Sequence, residues 1–326
     1  MKSTAIAPSN IAFIKYWGRK DEELRLPKNG SISMNLSELL TTTTVEFDSK
    51  LKEEEIVING TKEPEETKGK IVKHLDRIRS LAKIHEKAKV VSRNSFPRGT
   101  GLSSSASGFA ALTVAAAAAA GLKLSEKELS ILARQGSGSA CRSIPDGFVE
   151  WLDGDTSETS YAYSIFPPDY WDIADVVVIL TEEQKDVSTT EGQRLATSSP
   201  FHSVRQEKIK AKIAKCKAYI KAKNFNKFGE LLEAEALELH AIMLTSYPSL
   251  IYWYPATINV MKSVKKWRKD GLEIYFTVNT GQNIHLICQQ RDTDEVIRLV
   301  QQIREVKDVI MNKPAKGARI VSEHLF

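Results

Sequence analysis
Cysteine is scarce in this chain, with three in 326 residues. Cys141, Cys216 and Cys288 show none of the spacings of a disulfide framework or a zinc site, which excludes a stapled secreted scaffold and a zinc module. The chain also lacks a signal-type start and any apolar run long enough to cross a bilayer. These absences together predict reduced thiols in a cytoplasmic protein with no membrane partner. Strong charge is missing too. The net charge of +5 suits an anionic small molecule without choosing among anions. In the densest basic stretch, residues 208–227, the lysines are interleaved with Ile209, Ile213, Cys216 and Ile220 at three- and four-residue steps. That pattern predicts the wet face of an amphipathic helix. A nucleic-acid surface would want aromatics or arginines among those lysines, so no nucleic-acid partner is expected.

A nucleotide loop of the G-x-x-x-x-G-K-[ST] type is absent as well. What is present instead, at residues 95–112, is Ser-Phe-Pro-Arg-Gly-Thr-Gly-Leu-Ser-Ser-Ser-Ala-Ser-Gly-Phe-Ala-Ala-Leu, running into an alanine helix that continues to Ala120. The start of such a helix presents unpaired N–H groups and the positive end of its dipole. Small residues let a ligand approach the backbone, and the hydroxyls of Ser103, Ser104, Ser105 and Ser107 can reach phosphate oxygens or a metal. On these residues alone, a phosphate cradle and a plain cap ahead of a packed helix are equally good accounts.

The rest of the chain is mixed in pattern. Strands are predicted at 4–7, 31–36, 41–47, 55–58, 89–92, 148–152, 175–180, 273–278 and 284–288, with Asn59-Gly60 as a hairpin turn. Helices are predicted at 67–84, from Ser125 with Glu128 completing a capping box, and at 187–197, 202–222, 225–245, 255–269 and 292–305. The composition, 42% hydrophobic and 27% charged, is that of a globular protein long enough for two domains. The expected architecture is α+β in two lobes, a strand-rich 1–180 and a helix-rich 181–326, with a cleft between them.

Four small-residue or basic patches stand out, at 10–19, 99–108, 136–142 and 279–283. Ala7-Pro8-Ser9-Asn10-Ile11-Ala12 with Lys15-Tyr16-Trp17-Gly18 resembles the N-terminal signature of the diphosphomevalonate decarboxylases, a family within the GHMP kinase superfamily. Gly101-Leu102-Ser103-Ser104-Ser105-Ala106-Ser107-Gly108 is similar to its phosphate loop. Gly136-Ser137-Gly138-Ser139-Ala140-Cys141-Arg142-Ser143 resembles its most characteristic run, and the likeness continues through His240-Ala241 and Ser246-Tyr247-Pro248. The resemblance implies the two-lobed GHMP kinase fold with a ferredoxin-like second lobe. It also implies ATP and Mg2+ as cofactors, and the decarboxylation of mevalonate 5-diphosphate to isopentenyl diphosphate in isoprenoid synthesis. In that chemistry the γ-phosphoryl group goes to a tertiary alcohol, the new phosphate leaves, and loss of CO2 supplies the alkene electrons. The protein is asked mainly for positioning and for cations.

Carried over position by position, the resemblance implies that Gly101, Ser103, Ser104, Ser105 and Ser107 meet the ATP phosphates, with Ser105 also toward magnesium. Ser137, Ser139 and Arg142 would bind the substrate's diphosphate and carboxylate, the Arg142 fork fitting two oxygens at once. Lys15, Tyr16 and Trp17 would line the reacting end, Asn10 would hold the loop, and Arg19 would keep a charge where lysine is usual. Core packing is the plainer account of the two aromatics. A homodimer is the family's usual assembly.

Besides Arg19, the sequence departs from the family in two places. The family's C-terminal motif is Asp-Ala-Gly-Pro-Asn, and Asn279-Thr280-Gly281-Gln282-Asn283 matches it with Asn279 in the place of the assigned base. An amide orients a hydroxyl but cannot take its proton. Decarboxylation with Asn279 as a positioning group, takeover by Asp146 of Pro145-Asp146-Gly147, and arrest at phosphorylation as in mevalonate 3-kinases all stay open. A catalytically silent nucleotide-binding paralogue is the reading from another class. At Ser188-Thr189-Thr190, Thr190 replaces an arginine of the family, and Arg194, one helical turn later, is the expected partial substitute. A less cationic pocket would admit a monophosphate substrate.

Overall fold
Two long antiparallel strands, Lys2–Ile14 and Ser31–Asp48, carry the larger sheet. The computed structural model describes residues 1–326 apart from Arg98, Gly99 and Gln184, so Gly99 of the expected 99–108 patch lies outside the described residues. Ser31–Asp48 is one strand where two were expected, because Ser37-Glu38-Leu39-Leu40 holds no glycine or proline to stop it and four threonines follow. Its first residues pair with Phe148–Trp151 and its last with Lys87–Asn94. Glu55–Ile58 joins Lys87–Asn94 in parallel and turns to Thr61–Lys62. Asn59 and Gly60 make that turn at φ 52° and 80°, as a two-residue hairpin of this kind requires. Ala162–Phe166 and Arg319–Val321, both unforeseen, bring the strands to eight among the described residues.

The second sheet orders Ile274–Thr277, Ile284–Gln289, Ile173–Ile179 and Asp308–Asn312, all antiparallel. Ile173–Ile179 belongs to it although it precedes residue 180, and Arg319–Val321 returns to the first sheet. The two sheets therefore do not divide at one point of the chain.

The helix Ser104–Ala119 is apolar on nearly every face and lies buried against both long strands. Alanine lets it approach that closely. Glu65–Ala82 and Glu126–Gly136 flank it, the latter started by the expected capping box of Ser125 and Glu128. His202–Lys221 turns Ile209, Cys216 and Ile220 inward, as its spacing predicts. Phe225–Leu244 and Pro255–Lys269 follow expectation, whereas Thr293–Val300 is shorter. The predicted 187–197 helix is only Thr189–Arg194, because Gly192 and two threonines sustain a helix poorly.

One hydrophobic core joins the two lobes. Ile11, Phe13 and Phe148 from the first sheet meet Ile173, Tyr275 and Ile287 from the second around Phe228. Phe13 and Phe228 stand edge to face at 4.8 Å. This shared core fixes the lobes on either side of a cleft. No described helix is long and apolar enough to cross a membrane.

Candidate active site
The cleft begins where the alanine helix begins. Gly101 at φ 91° and Ser103 at φ 59° turn the chain sharply into Ser104, and the Ser103 side chain makes no cap bond there. The positive end of its dipole therefore faces the cleft. The loop 279–283 crosses this turn backbone to backbone. A Cβ built on Gly281 would lie 2.5 Å from Gly101 Cα, so neither position has room for a side chain. Asn283 ties the two lobes together, donating to Thr100 O at 3.1 Å while its Oδ1 accepts from Leu180 N at 2.8 Å.

The 136–142 patch adjoins the same point. The chain leaves Glu126–Gly136, extends at Ser137 and coils into a short 3-10 helix, Gly138–Ser143. Ser137 Oγ lies 3.3 Å from Ser105 Oγ. Arg142 is buried, with Nε and Nη2 donating to Asn10 Oδ1 at 3.2 and 3.1 Å and Nη1 donating to Ser31 Oγ at 2.7 Å. Its guanidinium is thus aimed by two uncharged oxygens, with no carboxylate on it.

Lys15 sits at the joint between the lobes. Its Nζ donates to Ala12 O at 2.7 Å and to Asn279 Oδ1 at 3.1 Å. Asn279 Nδ2 reaches Ser103 Oγ at 3.2 Å, and its carbonyl accepts from His240 Nε2 at 2.9 Å. Burial lowers the Lys15 amine to about 7 against the opposing pull of Glu235. Burial also lowers His240 to about 3, so its ring is neutral. On the other side of the cleft Lys185 Nζ donates to Thr189 Oγ1, Thr280 O and Thr280 Oγ1 at 2.6, 2.8 and 3.1 Å, and burial brings it to about 8.

The cavity enclosed is about 300 Å³. Of the residues expected from sequence, Lys15, Tyr16, Arg19, Gly101, Ser103, Ser104, Ser105, Ser137, Ser139, Arg142 and Asn279 line it. Tyr16 stands edge-on to Trp151 at 4.7 Å, and its hydroxyl accepts from Arg19 Nε at 2.9 Å. Sequence reasoning missed Arg25, Lys70, Lys185 and Thr280 in the lining. The first three are isolated cations outside any motif, and only the position of Lys185, in a loop just past a strand, offered a signal.

Five expected residues lie elsewhere. Trp17 packs with Leu239, Met243, Leu250 and Tyr252 in a separate apolar cluster, because its indole turns away from the Tyr16 side. Ser107 is buried one turn into the helix, bonded to Thr41 Oγ1 at 2.6 Å. Asn10 is buried too and spends its amide on Arg142, Ser143 and Ser139. The Arg194 side chain is 66% exposed, with Nε 3.7 Å from Glu22. Asp146 accepts from Gly317 N at 2.6 Å, fastening the C-terminal tail, and does not line the cavity.

Among the described lining residues there is no Asp, Glu or His, and no cluster of metal-binding side chains occurs elsewhere among the described residues. The donor set suits an anion held by amides, hydroxyls and cations. It suits a divalent ion only as magnesium is commonly bound, largely through the phosphates and water, with a serine hydroxyl added.

Comparison with known proteins matches residues 7–162 to the diphosphomevalonate decarboxylase-like N-terminal domain and residues 175–323 to the mevalonate 5-diphosphate decarboxylase C-terminal domain. The diphosphomevalonate decarboxylase of Ganoderma lucidum is 33% identical over 325 residues, covering 92% of this chain and 81% of that protein. The mevalonate diphosphate decarboxylase structure from Staphylococcus aureus is 36% identical, with a TM-score of 0.93 and 98% of each chain covered. A structure of MDDEF in complex with MVAPP, AMPPCP and magnesium also superposes at a TM-score of 0.93, with 34% identity and 99% of each chain covered.

Proposed function
The chain belongs to the diphosphomevalonate decarboxylase family, and from that premise we propose how its residues carry out an ATP-dependent decarboxylation in the mevalonate pathway. ATP with Mg2+ supplies the phosphoryl group that turns a tertiary hydroxyl into a leaving group. The start of Ser104–Ala119, with the hydroxyls of Ser103, Ser104 and Ser105, takes the ATP phosphates, and Ser105 adds a ligand to magnesium. Lys185, Lys70 and Arg25 add positive charge around them. Ser137, Ser139 and Arg142 take the diphosphate and carboxylate of mevalonate diphosphate, with Arg19 and Tyr16 beside them. Asn10 acts through Arg142, holding its fork. Asn279 positions Lys15 and the hydroxyl.

The observation that carries this reading is the convergence of four sequence-distant motifs on one cleft. Ser105 and Ser137 are in contact, and Asn279 reaches both Ser103 and Lys15. That arrangement sets a phosphate cradle beside a forked cation, as phosphoryl transfer between two anions requires. Incubation with ATP and mevalonate, its monophosphate or its diphosphate, following ADP and CO2 separately, is the test. ADP and CO2 in equal amounts, fastest with the diphosphate, is the expected outcome. ADP alone would make the protein a 3-kinase, and neither product would make it a silent binding protein. We further propose a cytoplasmic homodimer. Its three cysteines are free thiols, exposed Phe201 and Tyr247 give it apolar area to bury, and light scattering would read the mass.

A further inference from the structure
The tertiary hydroxyl must lose a proton during phosphoryl transfer, and the described lining of the cleft offers no carboxylate or imidazole to take it. The titratable side chains that line it are Lys15, Tyr16, Arg19, Arg25, Lys70, Arg142 and Lys185. Guanidiniums do not give up protons in the working range. Burial raises Tyr16, which therefore stays a phenol. Lys70 is half exposed and pairs with Glu66 at 2.7 Å. Two lysines remain, and hydrogen bonding separates them. Lys185 Nζ has three acceptors within reach, which occupy all three N–H bonds of an ammonium. Lys15 Nζ has two, Ala12 O and Asn279 Oδ1, and its third direction is not taken up among the described residues.

We propose that Lys15, as a neutral amine, is the general base that takes the proton of the substrate's tertiary hydroxyl, with Ala12 and Asn279 aiming its lone pair. This rests on the functional reading above and deepens it. As the Nζ lone pair accepts the proton, the hydroxyl oxygen bonds to the γ-phosphorus of ATP. The bond from that phosphorus to the β–γ bridging oxygen breaks, and ADP leaves with the electron pair. Lys15 is then an ammonium beside the new phosphate ester. When the ester C–O bond breaks, phosphate takes the pair, the bond to the carboxylate supplies the electrons of the alkene, and CO2 departs. The ammonium proton goes to the released phosphate, which restores the amine.

Burial favours a neutral resting amine, and the charged surroundings oppose it only in part. Glu235, on Phe225–Leu244, faces Lys15 and accepts from its backbone N at 3.1 Å, but it is already paired with Arg205 and with Lys212 at 3.0 Å. Asp175, on the second sheet, is paired with His285 at 2.7 Å. Arg142 and Arg205 oppose a further positive charge, and His240 is neutral. Burial outweighs the carboxylates, leaving Lys15 at about 7. An aspartate at position 279 would hold Lys15 as a cation and serve as the base itself. The amide Asn279 leaves the lysine free.

The test is the pH dependence of kcat/KM for ADP formation in the wild type, Lys15→Arg, Asn279→Asp and the double variant. The wild type should show an acid limb near Lys15's own value of about 7, because only the neutral amine works. The kcat limb should lie higher, because bound phosphates raise the amine's pKa. Lys15→Arg keeps the charge of the ammonium form permanently and has no lone pair, so it should lose about 10²–10⁴-fold. Asn279→Asp should move the limb down by about one pH unit or more, and in that background Lys15→Arg should cost at least about tenfold less. Equal losses from Lys15→Arg in both backgrounds, or a wild-type rate that is flat between about pH 6 and 9, would overturn the base role while leaving the decarboxylase reading intact. Should Lys15→Arg fail to fold, the shift of the limb in Asn279→Asp alone decides. NMR of isotope-labelled lysine in the substrate-free protein gives a separate readout. An amine that titrates near its ordinary 10.5 overturns the proposal. Titration near 7 with no turnover on any mevalonate substrate retires the functional reading, and the base role with it.

Discussion
The two walls of the cleft are built on different terms. The wall made by the first half of the chain presents basic side chains that are buried and aimed by fixed partners, the Arg142 cation by Asn10 and Ser31 and the Lys15 amine by Ala12 and Asn279. The opposite wall presents Lys185 from a loop that runs into the short helix Thr189–Arg194, hydrogen-bonded there to two threonines. Charge held in a dry, preset direction stabilises a transition state without reorganisation at the moment of reaction. Charge on a loop can follow a phosphate as it arrives. On the proposed reading, the first wall cradles the phosphates and orients the reacting groups, and Lys185 of the second adds a cation as the nucleotide arrives.

The sharpest way to break that comparison is Arg142→Lys. A lysine cannot bridge Asn10 and Ser31 while also facing an anion. Losing one or two charge-assisted hydrogen bonds, at about 1.5–3 kcal/mol each, should lower kcat/KM by about 10²-fold or more. Arg19→Lys should cost about tenfold or less, since Arg19 Nη1 is engaged with the half-exposed Glu22 at 2.6 Å. Steady-state kinetics on both variants, with thermal melts to exclude misfolding, would separate them. Equal losses would mean that the fork of Arg142 confers nothing beyond its charge.

A contrast of the same kind runs through what the sequence made legible. The runs 101–108 and 136–143 could be read directly, because an anion cradle is made of consecutive small residues whose backbone does the binding. Lys185, Lys70 and Arg25 act singly and are brought to the cleft by folding, so no local pattern marks them. Asn10 and Ser107 were over-read, since a polar residue within a motif looks the same whether it meets a ligand or another part of the protein. Trp17 failed differently, because its neighbours Lys15 and Tyr16 face the cleft while its own ring fills the apolar cluster around Leu239 and Met243. In the fold, strands dense in β-branched residues were found. Ala162–Phe166 and Arg319–Val321 were missed because pairing with distant strands makes them, with little intrinsic preference.

The second wall can be tested on its own. Lys185→Met should raise KM for ATP by about tenfold and leave kcat within about threefold, the signature of lost ground-state binding. The lysine titrates at about 8 because burial disfavours its charge. In the wild type, KM for ATP should therefore rise as the pH passes above that value and the cation is lost. Lys185→Arg, always charged, should flatten that rise. A fall in kcat with KM unchanged would move Lys185 to the reacting end and dissolve the division between the walls.

The smallest effect is expected at Arg194, and it bounds the second wall on its outer side. The sequence places Arg194 one turn beyond Thr190, where a helix through 187–197 would point it inward. The helix ends at Arg194 itself, and the side chain runs outward to Glu22, 3.7 Å away, with 66% of its surface exposed. Glu22 already has Arg19 at 2.6 Å, so Arg194 is its second and looser partner. Exposed pairs of this kind contribute about 0–1 kcal/mol. Arg194→Ala should accordingly change kcat, KM for ATP and KM for mevalonate diphosphate each by less than about twofold. A tenfold rise in KM for the diphosphate alone would show that the loop swings Arg194 inward when substrate binds. The positive charge absent at Thr190 would then be supplied by Arg194.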